Sequence, residues 1–312
     1  MKRKIIVFLF TFIILLTSYQ QKNESVIISK TYKESEDINY IPPDDKKEEK
    51  IVHVLKEDKI IDLELEDYIV GVVSCEMPAS FENEALKAMS VAARTYALYK
   101  MNGKKEYDLT STTKDQCYIN EEEMKNKWGK SYDKYHDIIT NAVYSTAGEY
   151  LTYNDKVIIS FYFSISNGKT ENSEHVFPQK LDYLVGVDSS WDSKYSYKQA
   201  SKEISIKEFL SKLGINDNKI NNIKISRYDS GRVENVIINN KNFSGTKIRT
   251  LLKLRSTDFT IEYDDRVVTI VTKGYGHGVG MSQYGANAMA LSGSKYDEIL
   301  KHYYTGVDLV HN

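Results

Sequence analysis

Apolar and polar positions alternate with no regular period until about Ile51. Before that point Met1 to Lys4 carries three positive charges, and Ile5 to Leu16 is apolar apart from Thr11. Twelve residues match the apolar core of a signal segment and fall short of the ~20 that a membrane-spanning helix needs. The expectation is an exported chain with a signal or anchor segment over residues 1–19. No A-x-A site or lipobox cysteine follows, so cleavage and retention both stay open. The basic flank would keep the N-terminus cytoplasmic and the remainder extracytoplasmic. Residues 20–50 are polar, with Pro42-Pro43 and a charged run up to Lys50. Such a segment buries too little apolar surface to offset its ordering entropy and reads as a disordered linker.

From Ile51 the pattern acquires periods. Val52 to Leu55 and Ile60 to Leu63 predict a short hairpin, after which Leu65, Tyr68, Ile69, Val72 and Val73 recur at helical spacing. One more turn along that face reaches Glu76, and Pro78 stops the helix. A carboxyl at the inner edge and C-terminal end of a helix is disfavoured in its ionised form by desolvation and by the helix dipole. It would stay protonated near neutral pH, as a general acid must. A second helix, capped by Ser80 or Asn83, follows Ala85, Met89, Ala92, Tyr96 and Tyr99. Its other face carries Lys87, Ser90 and Arg94, which reads either as solvated or as supplying Arg94 to a site.

A polar loop over 104–116 precedes a helical region rich in Tyr and Lys from about Glu121 to Ala147. Residues 148–159 predict a hairpin turning at Asn154-Asp155. Ser160 to Ser166 alternates as a strand, Phe161, Phe163 and Ile165 on one face and Ser160, Tyr162, Ser164 and Ser166 on the other. That hydroxyl row would line a sugar groove or simply face solvent. Residues 201–264 read as a smaller α+β unit. A last helix is expected from about Tyr296 to Tyr304. The fold class is therefore α+β, with mixed helices and short antiparallel sheets.

Arg266 to Thr272 alternates as a strand and runs into Gly274-Tyr-Gly-His-Gly-Val-Gly-Met-Ser-Gln-Tyr-Gly-Ala286. Five of the chain's 16 glycines lie here. Ser282 is placed to cap a helix over 283–291. The strand, glycine loop and helix suggest a nucleotide site, yet the spacing fits neither G-x-G-x-x-G nor a P-loop. The loop instead presents His277, Ser282, Gln283 and Tyr284 as candidate binding groups, with His277 equally readable as a buttress for the loop.

Composition narrows the picture. With 42 basic and 44 acidic residues the chain is suited neither to nucleic acid nor to strongly basic membrane binding. Tyrosine is abundant at 24 residues, and its flat face with a hydroxyl suits sugar stacking as well as half-buried packing. Cys75 and Cys117 are the two cysteines, either paired or buried as free thiols, and no zinc-binding spacing occurs.

Cys75-Glu-Met-Pro-Ala, Glu84-Ala-Leu-Lys-Ala with Ala92-Ala-Arg-Thr-Tyr, Ser166-Asn-Gly-Lys-Thr-Glu, Leu254-Arg-Ser-Thr-Asp-Phe and the glycine stretch together resemble the SpoIID/LytB family, in family order from Leu63 to the end. The resemblance implies a peptidoglycan lytic transglycosylase of engulfment in endospore formation, with the domain over 51–312 forming a glycan-binding groove. It implies Glu76 as the catalytic acid, a preference for strands stripped of stem peptides, and stage II sporulation proteins P, an amidase, and M as partners. No cofactor is implied. Some members bind zinc through a loop corresponding to Asp108 to Tyr118, but here that loop holds Cys117 and no histidine, so the metal is not carried over.

A lytic transglycosylase works with one carboxyl, whereas hydrolysis usually takes two. Two rivals remain. One is a non-enzymatic wall-binding protein that activates an amidase, and the other a hydrolase with a second carboxylate facing Glu76.

Overall fold

The computed structural model describes residues 50–311 apart from 102, 104, 105 and 196–198. The expected signal or anchor segment and all but the last residue of the linker lie outside the described residues. Among those described, no helix is long and apolar enough to cross a membrane.

Strands β1 (Ile51–Lys56) and β2 (Lys59–Glu64) form the expected hairpin, turning through Glu57 and Asp58 at positive φ. The chain then enters α1 (Leu65–Glu76) and α2 (Asn83–Met101). α2 is the hub of the larger core. Ala85, Ala88, Ala92, Ala93 and Ala97 are fully buried along it, and small side chains let neighbouring backbones come close. α1 packs on it, as do α3 (Glu121–Trp128) through α4 (Tyr132–Tyr144), and α7 (Gln283–Leu291) and α8 (Tyr296–Tyr303) from the far end of the sequence. β3 (Leu109–Thr110) adds to β1 in parallel. The turn at Asn154-Asp155 joins β4 (Glu149–Tyr153) to β5 (Lys156–Val157), and a strand not anticipated, β14 (Asp308–His311), pairs with β4.

The smaller α+β unit has its own core of Phe209, Leu210, Val236, Ile248, Phe259 and Ile270. It comprises β7 (Gln199–Ser205), α5 (Ile206–Lys212), β8 (Ile223–Arg227), β9 (Val233–Ile238), β10 (Lys241–Ser244), α6 (Gly245–Leu252) and β11 (Asp258–Tyr263). It also takes in β12 (Val267–Lys273), which pairs with both β11 and β7 and contributes Val268 and Ile270 to the core. The unit thus runs past the expected end at residue 264. Local periodicity marks β12 as a strand but does not say which sheet receives it.

The expected strand over 160–166 is mostly irregular. Ordered pairing is confined to β6 (Tyr162–Phe163), parallel to β13 (Met281–Ser282), and to a bridge between Ile165 and Tyr275. Its apolar face is inward as expected, but so are Ser160 and Ser166, both fully buried. Packing on the glycine loop closes off much of the face that alternation alone would leave to solvent.

Candidate functional site

α1 is apolar on the face that meets α2, and the same register brings Glu76 to its last turn. The backbone leaves the helix at Met77 in an extended conformation just before Pro78. A disulfide between Cys75 and Cys117 fastens the loop after β3 to this helix end. The consequence for Glu76 is direct. Its Oε1 accepts a hydrogen bond from the Cys117 amide at 2.9 Å, and its Oε2 accepts one from Gln283 Nε2 at 3.2 Å.

Burial is the strongest influence on this carboxyl and raises its pKa above the ordinary carboxylate value. The Cys117 and Gln283 donors, the nearby Lys127 ammonium and Tyr162 pull the other way without cancelling it. The Tyr162 hydroxyl is buried near Glu76, where it makes no hydrogen bond of good geometry. Lys127 Nζ donates to the carbonyls of Ser74 and Cys75 at 2.7 and 3.4 Å, and so caps the negative end of α1. Burial in turn lowers the Lys127 pKa.

Glu76 opens on a cavity of about 460 Å³ walled by Met77, Trp128, Tyr135, Ser164 and Tyr284. Among the described residues that line it, Glu76 is the one carboxylate. Tyr284 is set between Phe81 and Tyr195, edge to face with each at 4.8 Å between ring centres, and its amide donates to the Ser164 carbonyl at 3.1 Å. Glu76, Ser164, Gln283 and Tyr284 are thus brought to one place from three distant parts of the chain. A desolvated acid with aromatic walls can protonate a bridging oxygen while a sugar ring lies against the tyrosines.

Other residues singled out in the sequence are placed elsewhere. Arg94 is fully buried: its guanidinium pairs with Glu66 at 2.6 Å and donates to the carbonyls of Val143 and Glu149. The polar face expected to carry it outward is covered by α4 and β4, and Ser90 on the same face is buried too. Ser166 and Ser282 are fully buried around Asp192, whose carboxyl accepts from the Ser166 amide at 3.2 Å and the Ser282 hydroxyl at 3.0 Å. Ser282 also accepts from the Gly285 amide as the expected helix cap. These side chains hold the framework and are not presented to the cavity.

His277 lies among Phe161, Phe163 and Phe177, and its Nδ1 accepts from the Val279 amide at 3.1 Å. Burial, with Arg249 and Arg232 nearby, pushes its pKa down to about 3, so the ring is neutral and buttresses the loop. The glycines likewise serve packing. A Cβ on Gly280 would stand 2.0 Å from the Phe161 carbonyl oxygen, and one on Gly278 would stand 2.4 Å from Arg232 Nε. The loop is glycine-rich because protein, not sugar, presses against these positions.

Lys127, Trp128, Tyr135 and the Cys117 amide were not singled out by sequence reasoning. One local signal was available for the first two. Asn120 and Glu123 form a capping box that fixes the start of α3 and hence the face on which Lys127 falls. As for a metal, Cys117 is taken up by the disulfide, and among the described residues no group of three or more His, Cys, Asp or Glu side chains is placed to hold one.

Comparison with known proteins adds an independent line. Residues 55–153 match the SpoIID model, described as stage II sporulation protein. The chain is 42% identical over 254 residues to stage II sporulation protein D of Bacillus amyloliquefaciens, covering 78% of this chain and 74% of that protein. The corresponding Bacillus subtilis protein is 42% identical over 253 residues, with the same coverage. An amidase enhancer of Bacillus subtilis is 30% identical over 304 residues, 77% of this chain but 40% of its own length. With 42% identity over 78% of its length, the chain belongs to the stage II sporulation protein D (SpoIID) family.

Proposed function

We propose that this sporulation protein is a lytic transglycosylase that cleaves peptidoglycan glycan strands, preferably those stripped of stem peptides, during engulfment. The observation that carries the reading is a lone, desolvated carboxyl, Glu76, in a cavity walled by aromatic rings. Glu76 protonates the oxygen between N-acetylmuramic acid and N-acetylglucosamine, and that bond breaks. As carboxylate it then takes the proton from the muramoyl C6 hydroxyl, whose oxygen closes on C1 to give a 1,6-anhydro end. Its proton returns and no water is consumed. Gln283 and the Cys117 amide steady the carboxylate between the two transfers. A second carboxylate, which hydrolysis would use, is not among the described residues lining the cavity.

In this proposal the N-terminal signal or anchor segment places the domain outside the membrane, where stage II sporulation proteins P and M act with it. Mass spectrometry of denuded glycan after digestion should reveal 1,6-anhydromuramic ends, and Glu76→Gln should lower their yield by a factor of about 10³ or more with the fold intact. Reducing ends alone would mean hydrolysis.

Similarity to an amidase enhancer favours one alternative, a wall-binding activator that needs no acid. In that case the wild type and Glu76→Gln would bind glycan and stimulate an amidase equally, with no cleavage by either.

A further inference from the structure

The first half of the glycine loop holds a second constellation, separate from Glu76. Tyr275 is half exposed, at 50%, yet its backbone is fixed. Its amide donates to the Ile165 carbonyl at 2.7 Å and its carbonyl accepts from the Ile165 amide at 3.1 Å, while the next amide, of Gly276, donates to the Arg255 carbonyl at 3.0 Å. The Arg255 guanidinium lies 4.8 Å from the centre of the Tyr275 ring, and its Nε is buried without a hydrogen-bond partner. Arg249, partly buried on α6, donates from its Nε to the carbonyl of Leu254, the neighbour of Arg255, at 3.4 Å, and is within electrostatic reach of Tyr275 and of the buried Arg232. Arg232 is balanced by Glu171 and Asp258. Among the described residues the arginine ion pairs are those of Arg94 and Arg227, so neither Arg249 nor Arg255 is held in one. Two partly desolvated cations, one of them against a rigid, exposed ring, suit a ligand that brings its own anion and a flat apolar face.

We propose that Tyr275, Arg249 and Arg255 form a subsite for a sugar bearing a carboxylate, with the pyranose C–H face on the Tyr275 ring and the carboxylate on the two guanidiniums. In a peptidoglycan strand the matching group is the free lactyl carboxylate of a muramic acid residue, so the subsite rests on the glycan reading above. A glycerol-phosphate polymer supplies the anion but no ring for Tyr275.

The test is equilibrium binding by the full-length chain carrying Glu76→Gln, so that no strand is cut. The probes are denuded glycan, the same glycan with its lactyl carboxylates converted to methylamides, and poly(glycerol phosphate). The carboxylate strand should bind about tenfold more tightly than the methylamide strand, the worth of one charge-assisted hydrogen bond. Adding Arg249→Gln and Arg255→Gln should erase that ratio. Tyr275→Ala, at an exposed side chain, should weaken both glycans by about tenfold and remain informative if the arginine variant is poorly folded. The proposal is overturned if the carboxylate preference survives in a folded arginine variant, if Tyr275→Ala binds like its parent, or if only the phosphate polymer responds to these changes. Should this pattern hold while the protein with Glu76 intact yields no anhydro ends, the subsite stands and the transglycosylase reading falls.

Discussion

At the scale of single residues, Glu76 illustrates how environment outweighs residue type. Its carboxyl is held above the usual range by burial, against the pull of three donors or charges and Tyr162. In the proposed reaction the acid form acts first, so kcat/KM should fall as pH rises through this raised pKa, giving an alkaline limb above that of an ordinary carboxylate. Gln283→Leu removes a donor that favours the ionised form, and should move the limb upward, which a pH-rate profile on denuded glycan would measure. The same sign governs stability. A group that binds its proton more tightly when folded contributes most below its unfolded pKa, and the contribution is lost as pH rises through the folded value. His277, neutral down to about 3, adds no limb near neutrality. Of the residues marked in advance, Glu76 was legible because a helical period points at it. Arg94 was not, since the period shows a polar face but not the Glu66 carboxylate waiting to bury it.

At the scale of elements, the glycine loop and the disulfide hold Glu76 from two sides. Gly280 has φ +76° and no room for a Cβ, so Gly280→Ala should cost about 3 kcal/mol or more in urea unfolding. Gly293→Ala, at φ +99° with open space around it, isolates the backbone component and should cost only about 1–2 kcal/mol. The Cys75–Cys117 bond spans 42 residues, and a loop of that length corresponds to about 4 kcal/mol of lost unfolded-state entropy. Cys75→Ser with Cys117→Ser should therefore lower stability by roughly 3–4 kcal/mol in urea unfolding, and lower kcat at temperatures where the protein remains folded, because the Cys117 amide is no longer tethered to Glu76. The hairpins and helix caps of both elements were readable from local chemistry. That the loop glycines face Phe161 and Arg232 was not, since those partners lie 119 and 46 residues away from Gly280 and Gly278 in sequence.

At the scale of the molecule, two cores meet in one chain, and β12 belongs to the smaller while leading straight into the loop that serves the larger. Phe209 is fully buried in the smaller core, and Phe209→Ala should cost about 3–5 kcal/mol. Hydrogen exchange should then quicken first along β7 and β12 while α2 stays protected, because each core opens with the elements it packs. The sequence by itself determined most helices and hairpins, the place of Glu76 at the end of a helix and the membership of the family, since these depend on periods, caps and contiguous motifs. Only the tertiary structure decided that Gln283 and the Cys117 amide reach Glu76, that the cysteines pair, and that Ser166 and Ser282 are sealed inside. Those facts depend on contacts between segments 26 to 207 residues apart, and local pattern carries no record of such distances. The glycine stretch is legible as unusual, but its function as the joint between the two cores appears only when the partners that fill its empty Cβ positions are in place.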